Sequence, residues 1–398
     1  MASKINSEPD IKDTARGSFP LGSILLVVGV FFVTFVGRTI LSPLLLPVER
    51  ELGLSHAEGG SLFLIISIGF MLSMFFSGFL LERITYGTAI TATAGISAVG
   101  LFLLATCKGI GCFRIGLFIM GFASGLYLPS GIVTITELAP VERRGMAISI
   151  HELGPIFGLA AGPFLAEAAI RAGNWRALML VLAILALCMG VVFFRYSRGG
   201  RFHGTSPRFK ELWTMMKMRD FWIISFFFIM AIGNEMGIYS MLPAFLVAGR
   251  GLDQTLVNSI VSTSRLTSLV MIFAAGWMAD RFGFRWVIAL ISVACGTFTV
   301  LIGVSGGWLL ITALYVQPML VSAFFPAGFI ALAGMSGRKQ RNLSISLIFP
   351  MAYLLGGGMV PAVIGYFAER GSFGLGFVLT GCVMAAGVAL IPFIKLKT

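Results

Sequence analysis

Twelve apolar stretches run along the chain, roughly over 21–47, 60–81, 87–106, 112–138, 146–170, 175–195, 221–248, 255–279, 286–305, 307–334, 343–367 and 372–394. Short polar or glycine-bearing segments separate them. An α-helix satisfies its own backbone hydrogen bonds, so about 20 apolar residues suffice to cross the hydrocarbon core. Each stretch is long enough. Six precede the polar segment 196–220 and six follow it. The pattern predicts an all-α membrane protein with twelve transmembrane helices in two pseudo-symmetric six-helix bundles. The expected organisation is an N-terminal segment over 1–20, a first bundle over 21–195, a linker over 196–220, a second bundle over 221–394 and a tail over 395–398.

Landmarks recur at about half the chain length. Gly78 answers to Gly276 at an offset of 198 residues. Gly37 and Pro47 answer to Gly233 and Pro243, Pro129 and Gly131 to Pro326 and Gly328, and Gly158 and Pro163 to Gly356 and Pro361. A chain built as two copies of one membrane half encloses a pathway between them.

Composition agrees: 57% of residues are hydrophobic and 12% charged. The net charge of +12 has a topological reading. With both ends cytoplasmic, inner segments carry 20 of the 29 basic residues and outer loops seven. This is the positive-inside bias; the expected location is the cytoplasmic (inner) membrane, with both ends cytoplasmic. The basic residues lie in short loops, not on a nucleic-acid-binding face. No cleaved signal is expected, because Glu8, Asp10 and Asp13 interrupt the basic start and the apolar stretch that follows is too long. Cys188, Cys295 and Cys382 read as packing residues, while Cys107 and Cys112 flank one short outer loop and are open to a bridge. No metal-binding spacing is present, and no cofactor is expected.

Two loops repeat a signature. Gly78, Glu82 and Arg83 close the second stretch; Gly276, Asp280, Arg281, Gly283 and Arg285 close the eighth. The second copy resembles the loop motif of the major facilitator superfamily, and the first is a degraded form, with Thr85 and Tyr86 where Gly and Arg are expected. The resemblance covers the whole chain. The stretch Glu137–Gly145 is similar to the family's loop between spans four and five, with Gly337–Arg341 as its counterpart. The resemblance implies that the twin loops act as a conformational latch. It also implies a central cavity lined by spans one, four, seven and ten. Gly158, Gly162 and Pro163 resemble the family's antiporter motif, read either as close helix packing or as a hinge.

The most pointed chemistry is charge inside the membrane. By residue count Arg38, Glu235 and Arg265 fall within about 6 Å of the midplane. A charge there costs at least about 2.5–3.5 kcal/mol on insertion scales, so it lines a polar cavity or pairs. Glu235 and Arg265 are read either as a buried ion pair or as a substrate and proton site. Two Arg residues favour an anion, because guanidinium binds carboxylate bidentately, and Glu235 is the expected proton carrier. Thr34, Tyr127, Asn234, Tyr239, Gln317 and Tyr353 complete the candidate binding set, each weighed against plain helix contact. His151 and Glu152 could relay protons or mark a solvated helix end.

The expected function is secondary active transport of a small, anionic organic solute by alternating access, coupled to protons. The expected partners are that solute, protons and the lipid bilayer, and the protein is expected to act as a monomer. No phosphate-binding Gly-rich loop is present to make ATP the driver, and no nucleophile–base set marks an enzyme. The rival readings are a proton-driven exporter of amphipathic compounds and a membrane sensor that does not transport.

Overall fold

Helices occupy each of the twelve expected stretches. The computed structural model describes residues 20–140, 143–204, 209–335 and 341–395. Residues 1–19, 141–142, 205–208, 336–340 and 396–398, among them Val141, Glu142, Gly337, Arg338, Lys339 and Gln340, lie outside the described residues, as do the surroundings of Gly276 and the side chains of Asp280 and Arg341. Eleven helical spans among the described residues are long and apolar enough to cross a membrane. The eighth span is two helices, Gln254–Leu266 and Ser268–Phe282, that abut at Thr267.

Local chemistry explains the boundaries. The second span starts at His56, four residues before the expected start, because Ser55 and Glu58 close a capping box. The eighth span ends at Gly283 with φ of 80°, a conformation in which a side chain is strained; the motif glycine is a stop signal. The linker is more than a tether. Its segment 199–204 docks against the loop after span two: the amides of Tyr86 and Gly87 donate to the carbonyls of Phe202 and Gly200 at 3.1 and 2.8 Å, and that of Gly204 to the Leu81 carbonyl at 2.7 Å. A short helix, Phe209–Met216, follows. Cys107 and Cys112 are bridged, with Cα atoms 5.7 Å apart.

Large side chains such as Phe194, Val270, Trp286 and Trp308 project outward from the helices. In lipid that surface is matched, and tryptophans at span ends suit the interface. Between the helices, glycines set the spacing. A Cβ on Gly158 would come 2.8 Å from Phe35 Cδ1 of the first span. A Cβ on its repeat mate Gly356 would come 2.6 Å from the backbone nitrogen of Gly233 in the seventh. Spans five and eleven therefore pack on spans one and seven by the same device. We expect Gly356→Ala to destabilise the fold by about 1–3 kcal/mol, since backbone cannot move aside as a side chain can. Thermal unfolding in detergent checks this, and an unchanged midpoint would contradict the close approach.

The bundles meet on the face opposite the start of the first span, here the far face. Gly60 of span two lies against the backbone of Pro361 and Ala362 in span eleven, and Gly365 against the backbone of His56 and Ala57. Glu167 of span five accepts from Thr255 Oγ1 at 2.6 Å and Asn258 Nδ2 at 2.8 Å of span eight, and pairs with Arg171 at 2.7 Å. Deeper in, Pro243 has no N–H to offer the Tyr239 carbonyl four residues back. Ser42 of the opposite bundle donates to it instead, at 2.7 Å.

Candidate functional site

Four backbone irregularities of the membrane helices fall beside Arg38, Glu235 and Arg265, while Phe245–Gly249 and Gly387–Phe393 depart from α geometry at the ends of spans seven and twelve. The first span breaks at Ile40, two residues past Arg38 and three before Pro43. The eighth breaks at Thr267, two residues past Arg265. Glu235 sits inside a π-helical turn, Gly233–Gly237, and Tyr353 begins another, Tyr353–Met359. Broken and π-bulged helices free backbone groups from the regular ladder. In a bilayer such groups persist only where protein or a polar cavity satisfies them.

Arg38 is 8% exposed and Arg265 3%. The Arg38 guanidinium carbon lies 5.0 Å from the Phe35 ring, 5.3 Å from Phe70 and 5.0 Å from Tyr353. Phe70 and Tyr353 are themselves 4.1 Å apart. Span eleven of one bundle and spans one and two of the other thus share one aromatic cage. Arg265 lies 4.9 Å over the Tyr239 ring, and its Nε has no hydrogen-bond partner. Tyr239 Oη donates to the Leu159 carbonyl at 3.4 Å, beside Gly162 of span five. Cation–π contacts soften the burial of a charge, and at Arg265 Nε is left without a hydrogen-bond partner.

Glu235 lies in the electrostatic field of Arg265, Glu152 and Arg38. No ion pair within 4.0 Å joins it to either Arg; the four ion pairs among the described residues are elsewhere. In this arrangement the direct ion pair weighed from the sequence is not formed.

A small cavity beside Arg38 is lined by Phe31, Thr34, Phe35, Phe70, Tyr127 and Tyr353, with a volume of about 20 Å³. That is room for roughly one water, so a larger cargo requires the bundles to part. Thr34 Oγ1 bonds the Val30 and Phe31 carbonyls of its own helix at 2.9 and 3.1 Å, yet still faces this cavity. Asn234 and Gln317 stand behind Glu235, inside the second bundle. Asn234 accepts from Thr299 at 2.7 Å, and Gln317 Nε2 donates to the Asn234 carbonyl at 2.9 Å. They hold the π-turn that carries Glu235.

Two residues outside the expected set join it. His151 is 1% exposed, not at a solvated helix end, and Glu152 beside it reaches the field of Glu235. The signal was in the sequence: His151 shares one helix face with Gly154 and Gly158, both packed on span one.

At the repeated loops, Glu82 and Arg83 are exposed at the end of span two. Arg281 lies 6.0 Å from the Trp277 ring and Arg285 5.8 Å from that of Phe284. Span five stays helical through Pro155 and Pro163.

Comparison with known proteins supplies the frame. The sequence profile of the Major Facilitator Superfamily matches residues 27–263 and 221–397. The chain is 21% identical over 403 residues to "Probable sulfoacetate transporter SauU" of Cupriavidus necator, covering 92% of this chain and 91% of that protein. It is 24% identical over 411 residues to "Hexuronate transporter" of Bacillus subtilis, covering 96% of each. Matches to a sugar transporter of Arabidopsis thaliana and a niacin/nicotinamide transporter of B. subtilis span only 41% and 64% of those proteins. Among solved structures, a bacterial homologue of the human lysosomal transporter Spinster, inward-facing and occupied, superposes with a TM-score of 0.81 at 12% identity, over 96% of this chain and 98% of that one.

Proposed function

The chain belongs to the Major Facilitator Superfamily, and on that footing we propose that it carries a small organic anion across the membrane by alternating access, coupled to protons. One observation carries the reading: two buried guanidiniums and one carboxylate lie where four helices depart from regular geometry, between the bundles. Fixed helices would gain nothing from such breaks. Helices that rock about a polar centre use them as joints and as ligand groups. The names of the sulfoacetate and hexuronate relatives specify organic anions, which supports the same class of cargo.

The near face, where the first span begins, is placed in the cytoplasm on the loop charges. The far face is then the outer one, and here it is closed by the Glu167 clasp. Gly78, Glu82, Arg83, Gly276, Asp280, Arg281, Gly283 and Arg285 form the opposing cytoplasmic latch, and Gly158, Gly162 and Pro163 the flexible point of span five. Thr255→Val with Asn258→Leu removes two donors from Glu167, each worth about 1.5–3 kcal/mol to a charged acceptor. We expect the population to shift toward an outward-open form by tenfold or more. Spin-label distances across the far face report it; an unchanged distribution would make the clasp ornamental.

The test of the cargo class is a thermal-shift screen of purified protein against small organic anions and drug-like cations. Ligand that binds the folded state raises its stability in proportion to RT ln(1 + [L]/Kd). Anions should stabilise and cations should not. The reverse outcome would favour the exporter of amphipathic compounds, the reading to which Glu235 and the Gly158–Gly162–Pro163 motif also lend themselves.

A further inference from the structure

Three side chains of the first bundle make three hydrogen bonds in a row. Tyr127 Oη donates to the Val27 carbonyl at 3.0 Å. Tyr127 Oη and His151 Nε2 are 3.2 Å apart. His151 Nδ1 and Glu152 Oε1 are 3.1 Å apart. Each contact needs a proton of its own. A carbonyl brings none, so the tyrosine hydroxyl proton is committed to Val27. Nε2 must then carry a proton to meet the phenol oxygen. A neutral imidazole with Nε2–H has a bare lone pair at Nδ1, and that lone pair faces a carboxylate. The third contact exists only if one further proton lies between Nδ1 and Oε1.

We propose that His151, Glu152 and Tyr127 form a proton-binding site in the first bundle, distinct from Glu235, and that the arrangement seen is its loaded form. The balance is simple. Tyrosine and neutral histidine bring two protons to three contacts, and one proton from water makes the third. It enters at Glu152, whose side chain is 51% exposed, and rests between Glu152 and His151. On its release, one contact must open. Either the Glu152 carboxylate turns away from Nδ1, or the phenol proton leaves Val27 for Nε2 while Nδ1–H keeps Glu152.

The surroundings favour a specific site over a solvated pair. From span one the Phe31 ring stacks on His151 at 4.5 Å and on Tyr127 at 4.6 Å, both at 13°. Span four contributes Tyr127, and span five itself contributes Glu152. Arg38 lies beside Tyr127 in the same small cavity, and Glu235 shares the field of Glu152. No other charged group is recorded against this trio among the described residues. Its consequence rests on the anion-transport reading: an unloaded Glu152 presents negative charge toward the region where Arg38 would hold cargo, and a loaded one does not. Proton binding on this bundle thereby favours anion binding on the same bundle.

The test needs no cargo. Full-length protein in detergent, labelled with ¹⁵N-histidine, is titrated from about pH 5 to about pH 9, the range in which histidine ordinarily changes charge. His56, His151 and His203 are the three histidines, and His151→Gln assigns the resonance in question. His151 should pass between imidazolium and neutral forms within that range. Glu152→Gln, which keeps shape and removes the partner charge, should alter the His151 titration and leave those of His56 and His203 in place. Tyr127→Phe should change the Nε2 shift, since its acceptor is gone. A His151 locked as one neutral tautomer throughout, or a titration indifferent to Glu152→Gln, overturns the proposal. Failure of anion binding leaves these spectra unchanged, so the two readings fail separately.

Discussion

Arg38→Lys and Arg265→Lys are each expected to leave the protein folded and to remove most of its affinity for anionic cargo. Both side chains are buried, and neither forms an ion pair among the described residues. Their charge is accommodated by rings: Phe35, Phe70 and Tyr353 around Arg38, and Tyr239 beneath Arg265. Lysine retains the cation and most of the stem, so the cages remain filled. What it lacks is the flat fork that meets two carboxylate oxygens at once. Losing one charge-assisted hydrogen bond costs about 1.5–3 kcal/mol, roughly ten- to a hundredfold in binding. The measurement is the ligand-induced shift in melting temperature for whichever anion stabilises the wild type, with the unliganded melting temperature as the folding control. Normal anion affinity in both variants would remove the anion reading. A loss confined to Arg265 would assign the cargo to the second bundle and leave Arg38 a structural role.

The fold was legible because a membrane helix announces itself by length and apolarity, and because the Gly and Pro landmarks recur at half-length. The family motif added the stop at Gly283, which the backbone explains by its positive φ. Other features were not legible. The π-turn around Glu235 depends on Gln317 reaching the Asn234 carbonyl from another helix, and no local pattern encodes that bond. The break at Thr267 has no proline within its own span. The Thr267 and Ser268 hydroxyls instead donate to the Tyr315 and Pro318 carbonyls of span ten, at 3.0 and 3.1 Å. Competition of that kind between side chain and ladder is decided by the neighbouring helix. Residue counting placed Arg38, Glu235 and Arg265 at one depth. It could not say that Asn234 and Gln317 face into the bundle while Tyr353 closes over Arg38. It left His151 open between a proton relay and a solvated helix end, because depth two turns from a helix start does not show that the ring is buried.

Glu235→Gln is expected to uncouple transport from protons without unfolding the protein. Glu235 sits in the field of Arg265 and Arg38 but within 4.0 Å of neither. Removing its charge therefore strands no salt-bridge partner, and the several-kcal/mol penalty of a broken buried pair should not appear. If coupling runs through Glu235, a carrier with glutamine there still exchanges cargo across the membrane, because alternation and anion binding remain. It fails to concentrate cargo against a gradient, because no proton now alternates with the anion at the Arg pair. Reconstituted vesicles with an imposed pH gradient separate the cases. A stable Gln variant that still accumulates cargo would transfer the coupling to the His151–Glu152 pair, the other acid in the same field. In that event His151→Gln, not Glu235→Gln, abolishes accumulation. If both variants must be combined to abolish it, each bundle carries its own proton. A variant that unfolds would show that Glu235 and Arg265 do pair directly in another state of the transport cycle.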